Sequence, residues 1–105
     1  MMRNAEVFVN NVHAGTFTEL VIGKKYRFEY LDAYSGPPVS LTMPITQSHY
    51  DFDSFPPFFD GLLPEGYQLE GLLKYSKVDR NDSFSQLMMV CEDLVGYVTL
   101  KEISS

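Results

Sequence analysis

Few side chains in this sequence have the types and spacing that catalysis requires. His49, Asp51 and Asp53 alternate within a polar stretch, and such a set could hold a metal ion or perform acid–base work if further ligands converged on it. A solvated loop explains the same three residues more simply, so a small metal-dependent hydrolase is a remote alternative. Cys91 falls on the apolar stripe of a predicted helix, which favours a buried structural thiol over a nucleophile.

Nucleotide and phosphate chemistry is not indicated either. The sequence contains no glycine-rich phosphate loop of the Walker or dinucleotide type, and no segment that resembles the catalytic or metal-binding loops of a kinase. Because no constellation of residues supports catalysis, we expect a protein that is not an enzyme and needs no cofactor. The sequence favours a protein whose role is to bind another macromolecule.

The distribution of charge indicates what kind of partner that would be. The chain has 14 acidic and 8 basic residues, for a net charge of −6, and it has no Lys or Arg between Arg27 and Lys74. Such a region repels nucleic acid, because phosphate binding needs clustered bases. It favours a basic protein partner, although an acidic surface that only keeps the chain soluble remains an open alternative. The acids in this stretch are Glu29, Asp32, Asp51, Asp53, Asp60, Glu65 and Glu70.

Length and composition predict one domain over residues 1–105. A hydrophobic fraction of 45% is ample for a single core. No apolar run approaches the roughly 18 residues of a membrane span, and the N-terminus lacks the continuous apolar segment of a signal peptide. With Cys91 as the only cysteine, an intrachain disulfide is impossible. We therefore expect a cytoplasmic protein that does not enter a membrane.

Alternating patterns predict the strands of the first half. Glu6–Asn10 and Val12–Thr18 should form a β-hairpin, with Gly15 as a bulge and two asparagines, residues 10 and 11, at the tight turn. Lys25–Leu31 alternates aromatic and charged residues and is the clearest strand. Val39–Met43 also alternates and is predicted to be the next strand, with a polar loop over residues 46–54 after it.

Helical periodicity follows in the second half. Apolar residues at helical spacing predict a short helix over 58–63, begun by two prolines, and a third helix that begins near Ser83. Between them, a second helix carries the stripe Leu69, Leu72, Leu73 and Ser76. Val95–Leu100 is predicted as a returning strand. The fold class is therefore α+β, with an antiparallel sheet of about five strands and two to three helices packed on one side.

Aromatic residues are unusually dense between positions 50 and 67. A core helix accounts for Phe58 and Phe59 but not for the whole set. The excess favours an interaction surface, although packing beneath a loop is an open alternative. The six aromatic residues are Tyr50, Phe52, Phe55, Phe58, Phe59 and Tyr67.

The segment PFFDGLLPEG, residues 57–66, resembles the P-F-F-D-x-L-L-P-E-G motif of the HipA-like kinase toxins, found in their small N-terminal subdomain. Flanking segments resemble the same family: the opening hairpin, Ser40–Ile45, and the closing Asp93–Gly96. The resemblance covers nearly the whole chain. Two positions depart from the family pattern, since Tyr67 stands where tryptophan is frequent and Cys91 where glycine is usual.

This resemblance implies a function. Because the chain stops at Ser105, where the family's kinase core would begin, it resembles the free-standing HipS antitoxins of three-part HipBST systems. An antitoxin of this kind binds and inhibits the separately encoded Ser/Thr kinase HipT, and a helix-turn-helix protein, HipB, handles DNA as a third member. The alternative is an accessory subunit that completes the kinase fold and supports its activity. The residues expected to contact the kinase are Phe58, Asp60, Leu63, Pro64, Glu65, Gly66 and Tyr67.

Tyr67 is the residue expected to make the inhibitory contact. It directly follows Pro64, Glu65 and Gly66, where proline stiffens the backbone and glycine allows a sharp turn. That geometry could present the ring to a nucleotide-binding cleft of the kinase. The alternative is that Tyr67 packs at the start of the second helix.

Overall fold

Five antiparallel strands form the sheet of this protein. In the computed structural model, which describes residues 3–63, 71, 74, 82–91 and 96–103, the strands lie in the order β4-β3-β2-β1-β5. Consecutive strands β1 to β4 are neighbours, and the last strand returns to pair with the first. The strands are β1 (Arg3–Val9), β2 (Val12–Val21), β3 (Lys25–Tyr30), β4 (His49–Phe52) and β5 (Val98–Glu102).

The predicted hairpin joins β1 and β2 through a two-residue turn. Asn10 and Asn11 both have positive φ, 49° and 67°, which is the backbone that a tight hairpin turn of this length requires. The pairing shifts by one residue next to the predicted bulge, so that Ala14 is the extra residue. Gly15 serves the close approach of β3 instead, since a Cβ atom there would lie 2.3 Å from the carbonyl oxygen of Glu29.

One face of the sheet is apolar and carries the core. Alternation along β1 and β3 directs small and aromatic side chains to this face and polar ones to the other. The buried apolar residues that the strands contribute are Ala5, Val7, Val9, Ala14, Phe17, Tyr26, Phe28, Tyr30 and Leu100.

The helices cover that apolar face. Helix α1 (Pro57–Asp60) contributes Phe59 and helix α2 (Ser83–Val90) contributes Phe84, and both rings stack on Phe17 of β2. The predicted arrangement of a five-stranded antiparallel sheet with helices on one side is therefore confirmed in outline, with more sheet than helix. Gly71 and Lys74 are also helical, but the predicted stripe Leu69, Leu72, Leu73 and Ser76 lies outside the described residues.

The fourth strand is not where the alternating pattern placed it. The prediction of a strand over Val39–Met43 is wrong, because this segment turns back on itself through a single bridge between Ser40 and Met43. The Tyr30 hydroxyl holds the turn by accepting from the Val39 N–H (2.9 Å) and donating to the Met43 carbonyl. Residues 49–52, predicted to be loop, form β4 instead and pair with β3.

The remaining boundaries differ slightly from the predicted ones. Helix α2 begins at Ser83 as predicted, and its N-cap is Asp82, whose carboxylate accepts from the Ser85 N–H at 3.1 Å. Strand β5 starts at Val98 rather than at Val95. Among the described residues, no helix has the length and apolar character needed to cross a membrane.

Candidate protein-interaction surface

Two prolines, the first residue of the PFFDGLLPEG segment and the residue before it, define how α1 starts. Pro56 is extended, with φ −62° and ψ 135°, and Pro57 occupies the first helical position, where a missing N–H costs no hydrogen bond. The single turn closes through the Asp60 N–H donating to the Pro56 carbonyl (2.9 Å) and the Gly61 N–H donating to the Pro57 carbonyl (3.0 Å). The backbone of the motif is thus hydrogen-bonded from its first residue.

Phe59 attaches this turn to the sheet. Its ring is 0% exposed and lies parallel to that of Phe17, with the centroids 4.0 Å apart and the planes 12° apart. It also contacts Phe28 at a centroid distance of 6.1 Å. With Phe59 directed into the core, its neighbours in the helix cannot also point inward.

Phe58 lies half-buried at the boundary between the core and the surface. Its ring meets Phe59 edge-on, with the centroids 5.2 Å apart and the planes 82° apart. Its remaining surface lines a hollow of about 240 Å³, which we call the α1 hollow. The α1 hollow is mostly apolar and is lined by Thr42, Met43, Tyr50, Phe52, Pro56, Pro57 and Phe58.

An exposed leucine stands on the turn beside the α1 hollow. Leu41 is 95% exposed, although its neighbour Met43 is buried. The Tyr30 hydroxyl holds one side of this turn, and the Tyr50 hydroxyl donates to the Pro44 carbonyl at 2.6 Å on the other. A fully exposed leucine on a turn with several hydrogen bonds is available for contact with a partner. The alternating pattern predicted a strand over this segment and so did not indicate that Leu41 would be exposed.

The residues expected to contact a partner divide into a described and an undescribed part. Asp60 is exposed at the end of α1, and Leu63 is half-buried against the core, with its N–H donating to the Asp60 carbonyl at 3.1 Å. Together with Phe58 they lie within one short segment. Pro64, Glu65, Gly66 and Tyr67 lie outside the described residues.

Packing accounts for much of the aromatic density of this region. Phe55 meets Phe17 and Tyr26 edge-on, at centroid distances of 5.8 and 5.3 Å. Tyr50 and Phe52 extend from β4 and pack against the core. These three rings therefore follow the alternative in which the aromatic residues pack against the core. Phe58 is the described aromatic residue of the motif that also reaches the surface.

His49, Asp51 and Asp53 are not arranged as a hydrolase site in the structure. Asp51 receives two hydrogen bonds from Arg27, at 2.6 and 3.2 Å, and these lower the pKa of its carboxyl group. The His49 Nε2 atom lies 3.9 Å from Asp51. Since a guanidinium already occupies the carboxylate, a metal cation would be repelled there. Within the described ranges, no group of three His, Cys, Asp or Glu residues could hold a metal ion.

Comparison with known proteins decides the family. The family model of the HipA N-terminal domain matches residues 5–101. The chain belongs to the HipA N-terminal domain family. It is 31% identical over 102 residues to an uncharacterized protein of Haemophilus influenzae, covering 97% of this chain and 94% of that one. It also resembles a solved N-terminal domain of HipA toxin, with a TM-score of 0.71 and 27% identity, over 98% of this chain and 94% of the other.

The acids of this HipA N-terminal domain lie on both sides of the sheet. Glu29 and Asp51 extend from β3 and β4 on the face that the helices leave open, whereas Asp60 ends α1 on the covered face. Asp51 is also neutralised by Arg27. The described acids of the stretch without Lys and Arg are therefore close in sequence but do not form one surface, because strand alternation directs Glu29 and Asp51 to the open face while Asp60 lies at the end of α1.

A charged cluster that the sequence did not reveal joins three elements of the domain. Glu19 of β2 is 1% exposed, and its carboxylate accepts from Arg3 at 2.6 Å and from the Gly23 N–H at 3.0 Å. Arg3 also binds Asp82, the N-cap of α2, at 2.9 Å. Burial opposes ionisation of Asp82, but hydrogen bonds from Arg3 and Ser85 outweigh it, so the pKa of Asp82 is lowered.

Proposed function

We propose that this chain is a cytoplasmic antitoxin that binds a separately encoded HipA-like Ser/Thr kinase of the HipT type and inhibits it. The observation that carries the proposal is the family's motif, held on the sheet by one buried ring, Phe59, while Phe58 and Asp60 reach the surface. Membership of the HipA N-terminal domain family supports a role in a toxin–antitoxin system.

The surface around α1 has the physical character of a binding site. A half-buried aromatic ring beside an apolar hollow provides a position where a partner's side chain can be desolvated, as binding hot spots require. Leu41 extends this apolar area. Because the turns that carry Phe58 and Leu41 are already hydrogen-bonded, little conformational entropy is lost when a partner binds.

Charge supports a basic contact surface on the partner. The chain carries a net charge of −6, and Asp60 is exposed beside the apolar contact. Complementary charges accelerate association more than they slow dissociation. We therefore expect association with the kinase to slow as ionic strength rises, with a smaller change in the dissociation rate. An association rate independent of salt would argue against this contribution.

The contact is tested by three variants in a binding assay with a co-expressed HipA-like kinase. Phe58→Ala and Asp60→Lys should each weaken binding at least tenfold, and Tyr67→Ala should lose roughly 2 kcal/mol or more of affinity, as a hot spot does, without a change in melting temperature. Glu102→Lys is the matched control, since it makes the same charge change at an exposed acid of β5, outside the motif. Full binding by all three variants would place the contact elsewhere.

The sign of the effect separates the antitoxin from an accessory subunit. The relevant observation is that a similar solved structure is a domain of the HipA toxin itself, so this fold also occurs as part of a toxin. Kinase autophosphorylation and the growth of cells expressing the kinase should be measured with and without this chain. Inhibition and rescued growth are expected. Increased phosphorylation and deeper growth arrest would favour the accessory subunit.

A third component fits the same proposal. A HipB-like helix-turn-helix protein would supply DNA binding in a ternary complex, because the acidic composition of this chain disfavours direct contact with nucleic acid. Addition of purified chain to DNA in the absence of the other two proteins should therefore give no complex.

A further inference from the structure

A second hollow lies at the end of the sheet where β1 turns into β2. It measures about 450 Å³, and no described residue lines both it and the α1 hollow. We call it the hairpin hollow. Its walls come from the hairpin, the segment after β3 and the residue before β5, and they include Val12, Leu31, Tyr34, Pro37 and Tyr97.

Large apolar side chains around the hairpin hollow are exposed together. Val12 is 56% exposed and Tyr97 is 53% exposed, and Leu31, which lines the same hollow, is also exposed. Isolated exposed apolar residues are ordinary, but several around one concavity indicate a binding surface. The described part of the PFFDGLLPEG motif, residues 57–63, contributes no residue to this group and so does not explain it.

Hydrogen bonds hold the walls of the hairpin hollow in place. The Tyr34 ring stacks on Tyr30 with the planes 4° apart, and its hydroxyl donates to the Pro37 carbonyl at 2.5 Å. The Leu31 N–H donates to the Ala14 carbonyl at 2.8 Å, and the Asn10 N–H donates to the Tyr97 carbonyl at 2.7 Å. The site is thus formed before any ligand arrives, which lowers the entropic cost of binding.

An acidic depression adjoins the hairpin hollow. Leu31 lines both, and the depression, of about 240 Å³, also includes Glu29 and Asp32. Both carboxylates are exposed, and none of the lining residues that the structure describes in either concavity is Lys or Arg. The guanidinium of Arg27, two residues before Glu29, is taken up by Asp51. The acids are therefore available to a cation from outside.

We propose that this combined surface binds a polypeptide segment in which a bulky apolar side chain adjoins a lysine or arginine. The apolar side chain enters the hairpin hollow between Val12, Leu31 and Tyr97, and the cation meets Glu29 and Asp32 in the adjoining depression. This proposal is independent of the proposed antitoxin function, since the two sites use different residues.

Charge favours this partner over a second copy of the chain. A symmetric dimer would bring the surface against itself, so that Glu29 and Asp32 of one copy would approach the same acids of the other. Like charges facing each other across an interface are destabilising. An uncharged apolar ligand would fill the hollow but would leave both carboxylates unused.

The test is a selection from a displayed library of random peptides against the immobilised full chain, followed by fluorescence anisotropy with synthetic copies of the enriched peptides. We expect enriched peptides to combine an apolar residue with a neighbouring Lys or Arg. Leu31→Asp and Tyr97→Ala should each weaken their binding at least tenfold. Asp32→Lys should weaken it similarly, and a peptide with Glu in place of its Lys or Arg should regain affinity for that variant.

Matched controls separate this site from the α1 surface. Leu41→Asp and Asp60→Lys make the same types of change at exposed positions near α1 and should leave peptide binding unchanged. Circular dichroism melting establishes that each variant is folded, and two apolar variants are used so that loss of one does not prevent the test. The proposal is overturned if no peptide family is enriched, if enriched peptides lack a cation, or if the site variants bind normally. It is equally overturned if sedimentation shows a dimer that Leu31→Asp dissociates.

Discussion

Helices α1 and α2 lie on the same face of the sheet but are held there by different chemistry. The α1 contact is a stack of aromatic rings, Phe59 on Phe17, and no charged group of the described residues takes part in it. The α2 contact combines an apolar part, in which Phe84 stacks on Phe17, with an ionic part, in which Arg3 binds the N-cap Asp82 and the buried Glu19.

The difference predicts how each attachment responds to solution conditions. Burial of apolar surface depends little on pH or salt, whereas an ion pair depends on the ionisation of its carboxylates and on screening. The segment that carries the proposed kinase contact is therefore held by the attachment that conditions affect least. The α2 attachment should weaken in acid while the α1 attachment persists.

The largest expected effect comes from removing the aromatic contact. Phe59→Ala deletes a wholly buried ring between the helix and the sheet, and should lower the free energy of unfolding by about 3–5 kcal/mol. Phe58→Ala is the matched control, because removal of this half-buried ring should lower the free energy of unfolding considerably less. Urea denaturation at neutral pH measures both. Equal losses would mean that Phe59 is not the principal contact of α1.

A smaller loss is expected from breaking the ionic attachment. Arg3→Met keeps apolar contact with the Phe84 ring, over which the guanidinium lies at 5.0 Å, but leaves the buried Glu19 without its cation. We expect the free energy of unfolding to fall by about 2–3 kcal/mol. This is no more than the usual loss when a buried ion pair is broken, because Arg3 is about one-third exposed. The double variant Arg3→Met/Glu19→Gln should recover part of it. A double variant less stable than Arg3→Met would contradict a role for the unpaired charge.

The pH dependence isolates the charge of Asp82. Its pKa in the folded chain is lowered from the usual 3.8, so it contributes stability that is fully present above about pH 4 and is lost as pH falls through the lower folded value. Asp82→Asn keeps an N-cap acceptor, and should cost about 1 kcal/mol or less at pH 7, since water screens this partly exposed pair. In acid, the free energy of unfolding of Asp82→Asn should approach that of the parent. The free energy of unfolding of Phe59→Ala should remain below that of the parent. If Asp82→Asn and the parent differed by the same free energy of unfolding from pH 7 to pH 2, the charge of Asp82 would not be the source of this stability.

The smallest effect is expected at the ion pair on the open face. Asp51→Asn removes the partner of Arg27, but both side chains are exposed to solvent. Water and salt screen such a pair, so the melting temperature should be unchanged in moderate salt. A clear loss of stability would show that the exposed pair Arg27–Asp51 contributes to stability much as the partly buried pair Arg3–Glu19 does.

Local signals were enough to predict most of the framework. The asparagine turn, the aromatic alternation of β3 and the proline start of α1 each depend on residues close together in sequence, and the structure has all three. The burial of Phe59 follows from the same local periodicity. The motif around it was equally recognisable, because its ten residues are contiguous.

Long-range contacts decided what the sequence could not reveal. Val39 and Met43 are buried as a strand pattern implies, yet the Tyr30 hydroxyl binds both backbones and bends the segment between them. The alternation of His49 and Asp51 with Tyr50 and Phe52 was a signal for β4, but its short length and polar residues favoured a loop. Arg3 and Asp82 are 79 positions apart, so no local pattern pairs them.

The return of β5 to β1 has a consequence for synthesis of the chain. Strands β2, β3 and β4 each pair with the strand made just before, so that this part can assemble as it emerges from the ribosome. The outer edge of β1 has no such neighbour until Val98–Glu102 have been translated. During that interval an open strand edge is a template for pairing with another nascent chain. Ribosomes that translate the same message closely behind one another should therefore be the setting in which this domain misassembles.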